Sequence, residues 1–254
     1  MKAVILCGGK GTRMREETEY RPKSLVDIGG KPIIWHIMKI YSYYGINDFI
    51  LCTGYKGDQI KQYFIDMYWR NNDFTVHMKD ANRIEYLTEE EDFWNITILD
   101  TGLETLTGGR LKQTEKYLDE EEFLFTYGDG LSDINVTELI GFHRSKGKIA
   151  TLTGVHPILP FGVIKVNDGA VEAFEEKPVL SDLVNGGFMV LNRKIFDYLP
   201  QEDCSFEDGP LKQLATDGEL AVYENNRFWT AVDTYKDIEK VNKLWKQGKV
   251  WKVW

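Results

Sequence analysis

The chain of 254 residues carries 31 Lys plus Arg against 40 Asp plus Glu, a net charge of −9. This balance excludes a general nucleic-acid surface, so any affinity for phosphate has to come from local basic residues. The length suffices for one sizeable α/β domain, and no run of about eighteen apolar residues offers a membrane-spanning helix.

The chain enters at once into an apolar strand, Lys2–Cys7, which breaks into Gly8-Gly9-Lys10-Gly11-Thr12-Arg13 and then Arg21-Pro22-Lys23. The glycines allow a tight turn that brings backbone N–H groups near an anion, and Arg13 and Lys23 supply the charge a polyphosphate needs neutralised. The loop is not a dinucleotide fingerprint, because Met14 stands where the third glycine belongs, and it lacks the Lys-Ser/Thr ending of a P-loop. Taken alone, Gly8–Gly11 also reads as an ordinary glycine-rich turn between strand and helix. Arg13 and Lys23 favour a nucleotide site.

Downstream, the pattern predicts a helix near Pro32–Tyr44, with Ile33, Ile34, Ile37, Ile40, Tyr41 and Tyr44 as its apolar stripe and Trp35 and His36 as packing residues. A strand at Phe49–Thr53, a helix near Asp58–Trp69, a helix after Thr107 and a strand at Phe123–Tyr127 follow. This alternation indicates right-handed βαβ units in an α/β fold: a mainly parallel sheet flanked by helices. Gly8, Gly54 and Gly128-Asp129-Gly130 each come just after a strand, so all three are expected along the carboxyl rim, where ligands of open parallel sheets bind. Residues 70–100 break the alternation and read as an inserted β excursion, with Phe74–Met78 and Asn95–Leu99 around the acidic run Glu89–Asp92. That run reads as solvated surface, although a hairpin bearing Phe93 and Trp94 also suits contact with a neighbouring subunit.

Beyond residue 148, strands are predicted at Ala150–Val155, Gly162–Val166, Val171–Glu175 and Gly187–Leu191, with a helix near Glu207–Thr216. An amphipathic helix from Tyr235 to Leu244 closes the chain, and its Trp-rich tail, Lys249–Trp254, suits core docking or anchoring on a partner. Cys7, Cys52 and Cys204 lie far apart without C-x-x-C spacing and are expected to be buried free thiols in a reducing, cytoplasmic setting. His36, His77, His143 and His156 lack the spacing of a helix-borne zinc site, and none is assigned to catalysis. Asp129 alone is compatible with a turn acid, since Asp-Gly is a frequent turn dipeptide; flanked by two glycines and paired with the upstream loop, it reads as a metal ligand.

The run GG-K-GTR followed by R-PKSLV-DIGGKPII resembles the sugar nucleotidyltransferases, which join a nucleoside triphosphate to a sugar 1-phosphate. Within that superfamily the chain is most similar to the glucose-1-phosphate cytidylyltransferases, through Gly54-Tyr55-Lys56-Gly57, Trp94-Asn95-Ile96-Thr97, Thr107-Gly108-Gly109-Arg110-Leu111, Phe123–Gly130, Glu176-Lys177-Pro178, Asn185-Gly186-Gly187-Phe188 and Phe228-Trp229 ahead of Asp233-Thr234. The resemblance covers nearly the full length. It implies a Rossmann-like nucleotide-diphospho-sugar transferase fold in a single domain, 1–254, with a nucleotide-binding half, 1–148, and a sugar-phosphate-binding half, 149–254. It also implies a homo-oligomer that uses Mg2+, CTP and a sugar 1-phosphate, with no nucleic-acid or membrane partner.

The resemblance further implies residue roles. Arg13 and Lys23 are expected in catalysis, on the triphosphate and near the α-phosphate; Leu6, Gly8, Gly9, Gly11, Thr12, Thr107, Gly109, Arg110 and Asp129 join them in nucleotide binding. Asp129 and Asp233 are expected to hold the metal. Tyr127, Glu176, Lys177, Asn185 and Trp229 are expected around the sugar phosphate. Arg21 replaces the first lysine of the usual pattern and keeps its charge. The family's Pro-Gly-Arg-Phe-Gly is here Ile158-Leu159-Pro160-Phe161-Gly162, without the arginine, which leaves another phosphorylated acceptor as an alternative. A nucleotide-binding protein without turnover is the further alternative; its expected mark is loss of Arg13, Lys23 or an aspartate, and all are present.

Overall fold

The computed structural model describes residues 1–80, 82–88, 92–248 and 250–254. Among these residues the longest apolar runs lie side by side in a seven-stranded sheet. Its strands are β1 (Lys2–Leu6), β2 (Asp48–Thr53), β3 (Asn95–Asp100), β4 (Glu122–Tyr127), β5 (Ala150–Val155), β6 (Val184–Asn192) and β7 (Leu220–Glu224), in the order β7-β5-β6-β4-β1-β2-β3. All neighbours are parallel except at β6, which runs antiparallel to both β4 and β5. The mainly parallel sheet expected from the alternation is therefore present.

Strand β1 shows why its sequence is apolar from Ala3 to Leu6. Ala3 and Ile5 face a core built with α1 (Ile33–Tyr43), α2 (Gly57–Asn71), α4 (Val136–Lys146) and α6 (Tyr235–Gln247). Val4 and Leu6 face a second core, completed by α3 (Thr107–Lys112) and α5 (Pro210–Thr216). A strand covered on both faces has no solvent side for a polar residue. From β1 the chain steps outward to β2 and β3, whereas β4 lies on the other flank of β1. The sheet reverses its winding there, and Leu6 stands in register with Tyr127 at the carboxyl ends of the two strands.

Residues Asn95–Leu99 are not part of an inserted excursion: they belong to β3, the edge strand of the central sheet, paired in parallel with β2. Asn95 and Thr97 are exposed while Ile96 and Ile98 are half-buried, the alternation of an edge strand, which by pattern alone is indistinguishable from a surface hairpin. Phe74–His77 does form a hairpin, with Arg83–Tyr86. Trp94 packs edge-on against Phe49 and donates its indole N–H to Ser42, and Asp92 accepts from Trp35 and Lys39, so these residues are anchored inward; Phe93 is exposed. Glu89, Glu90 and Glu91 lie outside the described residues, as do Ala81 and Lys249. The strands Val163–Asn167 and Ala170–Glu175 form a separate hairpin with every residue exposed, closed by the positive-φ pair Asp168-Gly169. No described helix is long and apolar enough to cross a membrane.

The tail docks on the core rather than outward. Trp251 is fully buried, stacked on Phe228 and set against His36 and Trp245. The His36 ring donates from Nε2 to the carbonyl of Ile28, which can only accept, and its Nδ1 receives the indole N–H of Trp251. These partners fix the neutral tautomer. Burial pulls the His36 pKa down to about 4 from 6.5. Between those two values the unfolded chain holds a proton that the folded chain lacks, so this site loses stability as pH falls through that window and levels off below it. A His36→Gln variant should therefore show a shallower acid destabilisation than the parent chain between about pH 6.5 and 4. Urea midpoints across that range check this, and identical slopes in the two proteins would remove His36 from the account.

Candidate functional site

The site opens at the carboxyl ends of β1 and β4, in a cavity of about 530 Å3. Leaving β1, the chain turns through Gly8, Gly9 and Gly11, the last at φ +60°, and enters a short helical turn at Thr12–Met14 that carries Arg13. Gly8 is required for close packing: a Cβ there would fall 2.0 Å from the Arg110 guanidinium. Leaving β4, Gly128 is equally confined, because a Cβ would lie 2.8 Å from the carbonyl of Leu6. Asp129 is thereby held beside the glycine loop.

Asp233 arrives from 104 positions further along the chain. Immediately after Asp129, Gly130–Ser132 pairs antiparallel with Trp229–Ala231, and the Val232 N–H donates to the Asp129 carbonyl. Thr234 caps α6 and forms a reciprocal capping box with Asp237, whose carboxylate also accepts the Asp233 N–H, so the approach of Asp233 is fixed on both sides. Lys23, presented by a turn after the buried Pro22, donates from Nζ to Asp129 and to Asp233, each at 2.6 Å. The largely exposed Arg13 reaches the same Asp233 oxygen at 2.8 Å. The four residues expected to carry catalysis and metal binding thus meet in one cluster. Two carboxylates spanned by a single nitrogen, opposite a glycine-rich loop, suit a magnesium ion, which takes one or two carboxylates and leaves its other positions to phosphate and water.

Leu6, Gly8, Gly9, Gly11, Thr12, Arg13, Lys23, Thr107, Arg110, Tyr127, Asp129 and Asp233 all line the cavity. Arg110 sits beneath the loop rather than presenting its charge freely. It is buried, and its guanidinium donates to the carbonyls of Thr53, Gly8 and Leu103 and to the Thr101 hydroxyl. Gly109 turns toward a neighbouring cavity, close to the Asp203 carboxylate. Asn185 and Trp229 stand at the edge of the site, Asn185 3.5 Å from the Tyr127 hydroxyl and Trp229 donating to the Gly186 carbonyl. Glu176 and Lys177 are not brought to the cavity: they are exposed, next to the hairpin, and pair with each other at 3.2 Å.

The sequence reading missed Ser205 and Glu207, which also line the cavity. Glu207 accepts from Thr107 at 2.6 Å, from Ser205 at 3.1 Å, and from the Tyr127 hydroxyl. Burial and the Glu207 charge push the Tyr127 phenol above its ordinary range, so it is a hydrogen-bond donor and not a base. Glu207 sits among Glu202, Asp203 and Asp208, where local sequence marks no one acid as special. Cys7, beside the loop, is held protonated by burial, which removes it as a nucleophile.

The sequence model described as "Nucleotidyl transferase" matches residues 2–248. Over 256 residues the chain is 55% identical to a Bacillus subtilis protein named "Probable glucose-1-phosphate cytidylyltransferase", covering all of both. It is 48% identical over 257 residues to the glucose-1-phosphate cytidylyltransferase of Salmonella typhimurium, again covering all of both. Among solved structures it is similar to HddC from Yersinia pseudotuberculosis complexed with GMP-PN, with a TM-score of 0.68 at 22% identity over 96% of this chain and 99% of that one. The inositol-1-phosphate CTP transferase from T. maritima matches at a TM-score of 0.68 and 17% identity, over 99% and 96% of the two chains. These neighbours place the sheet in the Rossmann-like nucleotide-sugar transferase fold.

Arg110 is tied to three carbonyls and a hydroxyl, so Arg110→Met should cost about 2–4 kcal/mol through buried acceptors left without donors. Equilibrium denaturation measures it. A loss below about 0.5 kcal/mol, the size expected of a surface change, would show that the guanidinium is not the strut of the loop.

Proposed function

The chain belongs to the nucleotidyl transferase family, and we propose that it joins CTP to α-D-glucose 1-phosphate, releasing pyrophosphate and leaving CDP-glucose. The observation that carries this reading is the convergence of Lys23, Arg13, Asp129 and Asp233 at the mouth of one glycine loop. Full-length identity to the two cytidylyltransferases supports the choice of CTP and of glucose 1-phosphate.

In this reading a phosphate oxygen of the sugar phosphate attacks the α-phosphorus in line. The bond from the α-phosphorus to the bridging oxygen breaks, and pyrophosphate departs with the electron pair. Leu6, Gly8, Gly9, Gly11 and Thr12 cradle the triphosphate, and Thr107 and Arg110 shape the wall behind it. Arg13 holds the β- and γ-oxygens with its planar fork as charge grows on the leaving group. Lys23 exchanges a carboxylate oxygen for the α-phosphate, which it draws toward the attacking group. Asp129 and Asp233 would hold Mg2+, which when bound neutralises phosphate charge. Tyr127, Asn185 and Trp229 border the acceptor, and Glu176 and Lys177 would supply sugar-phosphate contacts once the hairpin arm swings toward the cavity.

The division of labour mainly follows the chain, residues 1–148 serving the nucleotide and 149–254 the acceptor, with Tyr127 and Asp233 crossing that boundary. A homo-oligomer is supported by the exposed Phe161, Ile164 and Phe174 on and beside the hairpin. A cytoplasmic setting is supported by three free cysteines.

Pyrophosphate release with CTP, UTP, dTTP and ATP against glucose, galactose and mannose 1-phosphates tests the substrate pair. CTP with glucose 1-phosphate should give the highest kcat/KM, and a better triphosphate would overturn the assignment of the base. Asp129→Asn and Asp233→Asn should each lower turnover on the order of a hundredfold. Near-normal turnover of both at low magnesium would exclude them as the metal pair. Lys177→Ala should raise KM for the sugar phosphate far more than for CTP, and equal rises would take Lys177 off the acceptor side.

A further inference from the structure

Glu207 is the one acid of its cluster placed in the cavity wall, with both carboxylate oxygens taken up by hydroxyl groups from different parts of the fold. One oxygen accepts from Tyr127, the last residue of β4; the other accepts from Thr107, the first residue of α3, and from Ser205. Thr107 is fixed further, because its hydroxyl oxygen also receives the Phe206 N–H at 2.9 Å. The hydroxyl of Tyr127 in turn stands 3.5 Å from the amide nitrogen of Asn185.

We infer that Glu207 is a positioning residue that couples the two substrate walls, fixing Thr107 on the nucleotide side and Tyr127 with Asn185 on the acceptor side through one carboxylate. The inference rests on the reading of those walls given above. A charged acceptor that receives the Tyr127 and Thr107 hydroxyls, and shares the Ser205 hydroxyl with Asp208, is a strong orienting centre, because bonds to an ionised group are stronger than neutral ones and the partly buried site weakens competition from water. The Tyr127 phenol is then always a donor toward Glu207, leaving its oxygen lone pair for Asn185 or for an incoming hydroxyl. Without the carboxylate, Thr107 and Tyr127 regain rotamer freedom at once, and both walls loosen together.

This predicts a double effect from one side chain. Glu207→Ala should raise KM for the nucleotide and for the sugar phosphate, each on the order of tenfold, whereas Tyr127→Phe should raise only that for the sugar phosphate. In the Glu207→Ala background, Tyr127→Phe should add little, because the phenol is already released. Glu207→Gln, which keeps the volume and one acceptor, should restore a good part of both constants. Thermal melts of all four variants identify any that fail to fold; should Glu207→Ala be one, calorimetric binding of each substrate alone to the Gln variant replaces it, where a smaller weakening of both substrates is expected and weakening of one alone would overturn the coupling. The cycle is run with whichever triphosphate and sugar phosphate the parent enzyme turns over best, so a wrong substrate assignment shows in the parent and not in the cycle. A rise confined to one substrate in Glu207→Ala, or full additivity with Tyr127→Phe on the sugar phosphate, would overturn the coupling.

Discussion

The placement of the Lys23 ammonium between Asp129 and Asp233 is the interaction on which the site depends. Two carboxylates held this close repel each other unless a cation lies between them. Here the cation comes from a third, distant stretch of chain, with Arg13 adding a second positive charge on Asp233. The cluster is therefore balanced, two cations against two anions, before any phosphate arrives. A triphosphate disturbs that balance, and the cheapest response is exchange of partners within the cluster rather than movement of the backbone. The strand pair Gly130–Ser132 with Trp229–Ala231 and the capping box of α6 hold the aspartates in place while the long Lys23 and Arg13 side chains re-aim.

The two arginines of the site differ in kind. Arg13 is largely exposed, and its guanidinium, paired with Asp233 at 2.8 Å, can turn to a ligand. Arg110 is buried and spends its donors on the carbonyls of Gly8, Thr53 and Leu103. A planar guanidinium suits that task, since its donors diverge in fixed directions and can tie several loops in one plane, which a lysine cannot do. The glycine loop owes its shape to this internal support as much as to its own glycines: Gly8 lacks a side chain because the guanidinium occupies the space one would need.

Much of this was legible in the sequence because it is local. Strands β1, β2 and β4 carry the apolar runs Ala3–Leu6, Phe49–Cys52 and Phe123–Phe125 shortly before a glycine, and their burial on both faces requires that pattern. The residues following them were placed on one rim for the same reason. What escaped was set by contacts between distant positions. Strand β3 has the alternation of a surface ribbon because Ile96 and Ile98 pack on the core while Asn95 and Thr97 on the other face are exposed, and only the sheet order reveals its true neighbour. Helix α4 buries only Val136, Leu139 and His143, too thin a stripe to stand out, and β7 is half-exposed along its length. The buried role of Arg110 and the hub at Glu207 both depend on distant partners, Gly8 at 102 residues, Thr107 at 100 and Tyr127 at 80, and no local pattern encodes such a meeting.

The cavity and the hairpin beside it also differ in how firmly they are built. The nucleotide wall stands on residues of both cores, with Leu6 and the strand beneath it buried and Arg110 bonded on several sides. Glu176 and Lys177 stand beside a hairpin that buries no residue and is joined to the rest through the Ile158–Val179 bridge and adjoining backbone bonds. Few buried contacts mean a low free energy of local opening, so this arm is the segment of the described chain best able to change position without disturbing the sheet. The apolar packing of this chain thus concentrates rigidity beneath the glycine loop and leaves the hairpin arm, outside the cavity, free to move.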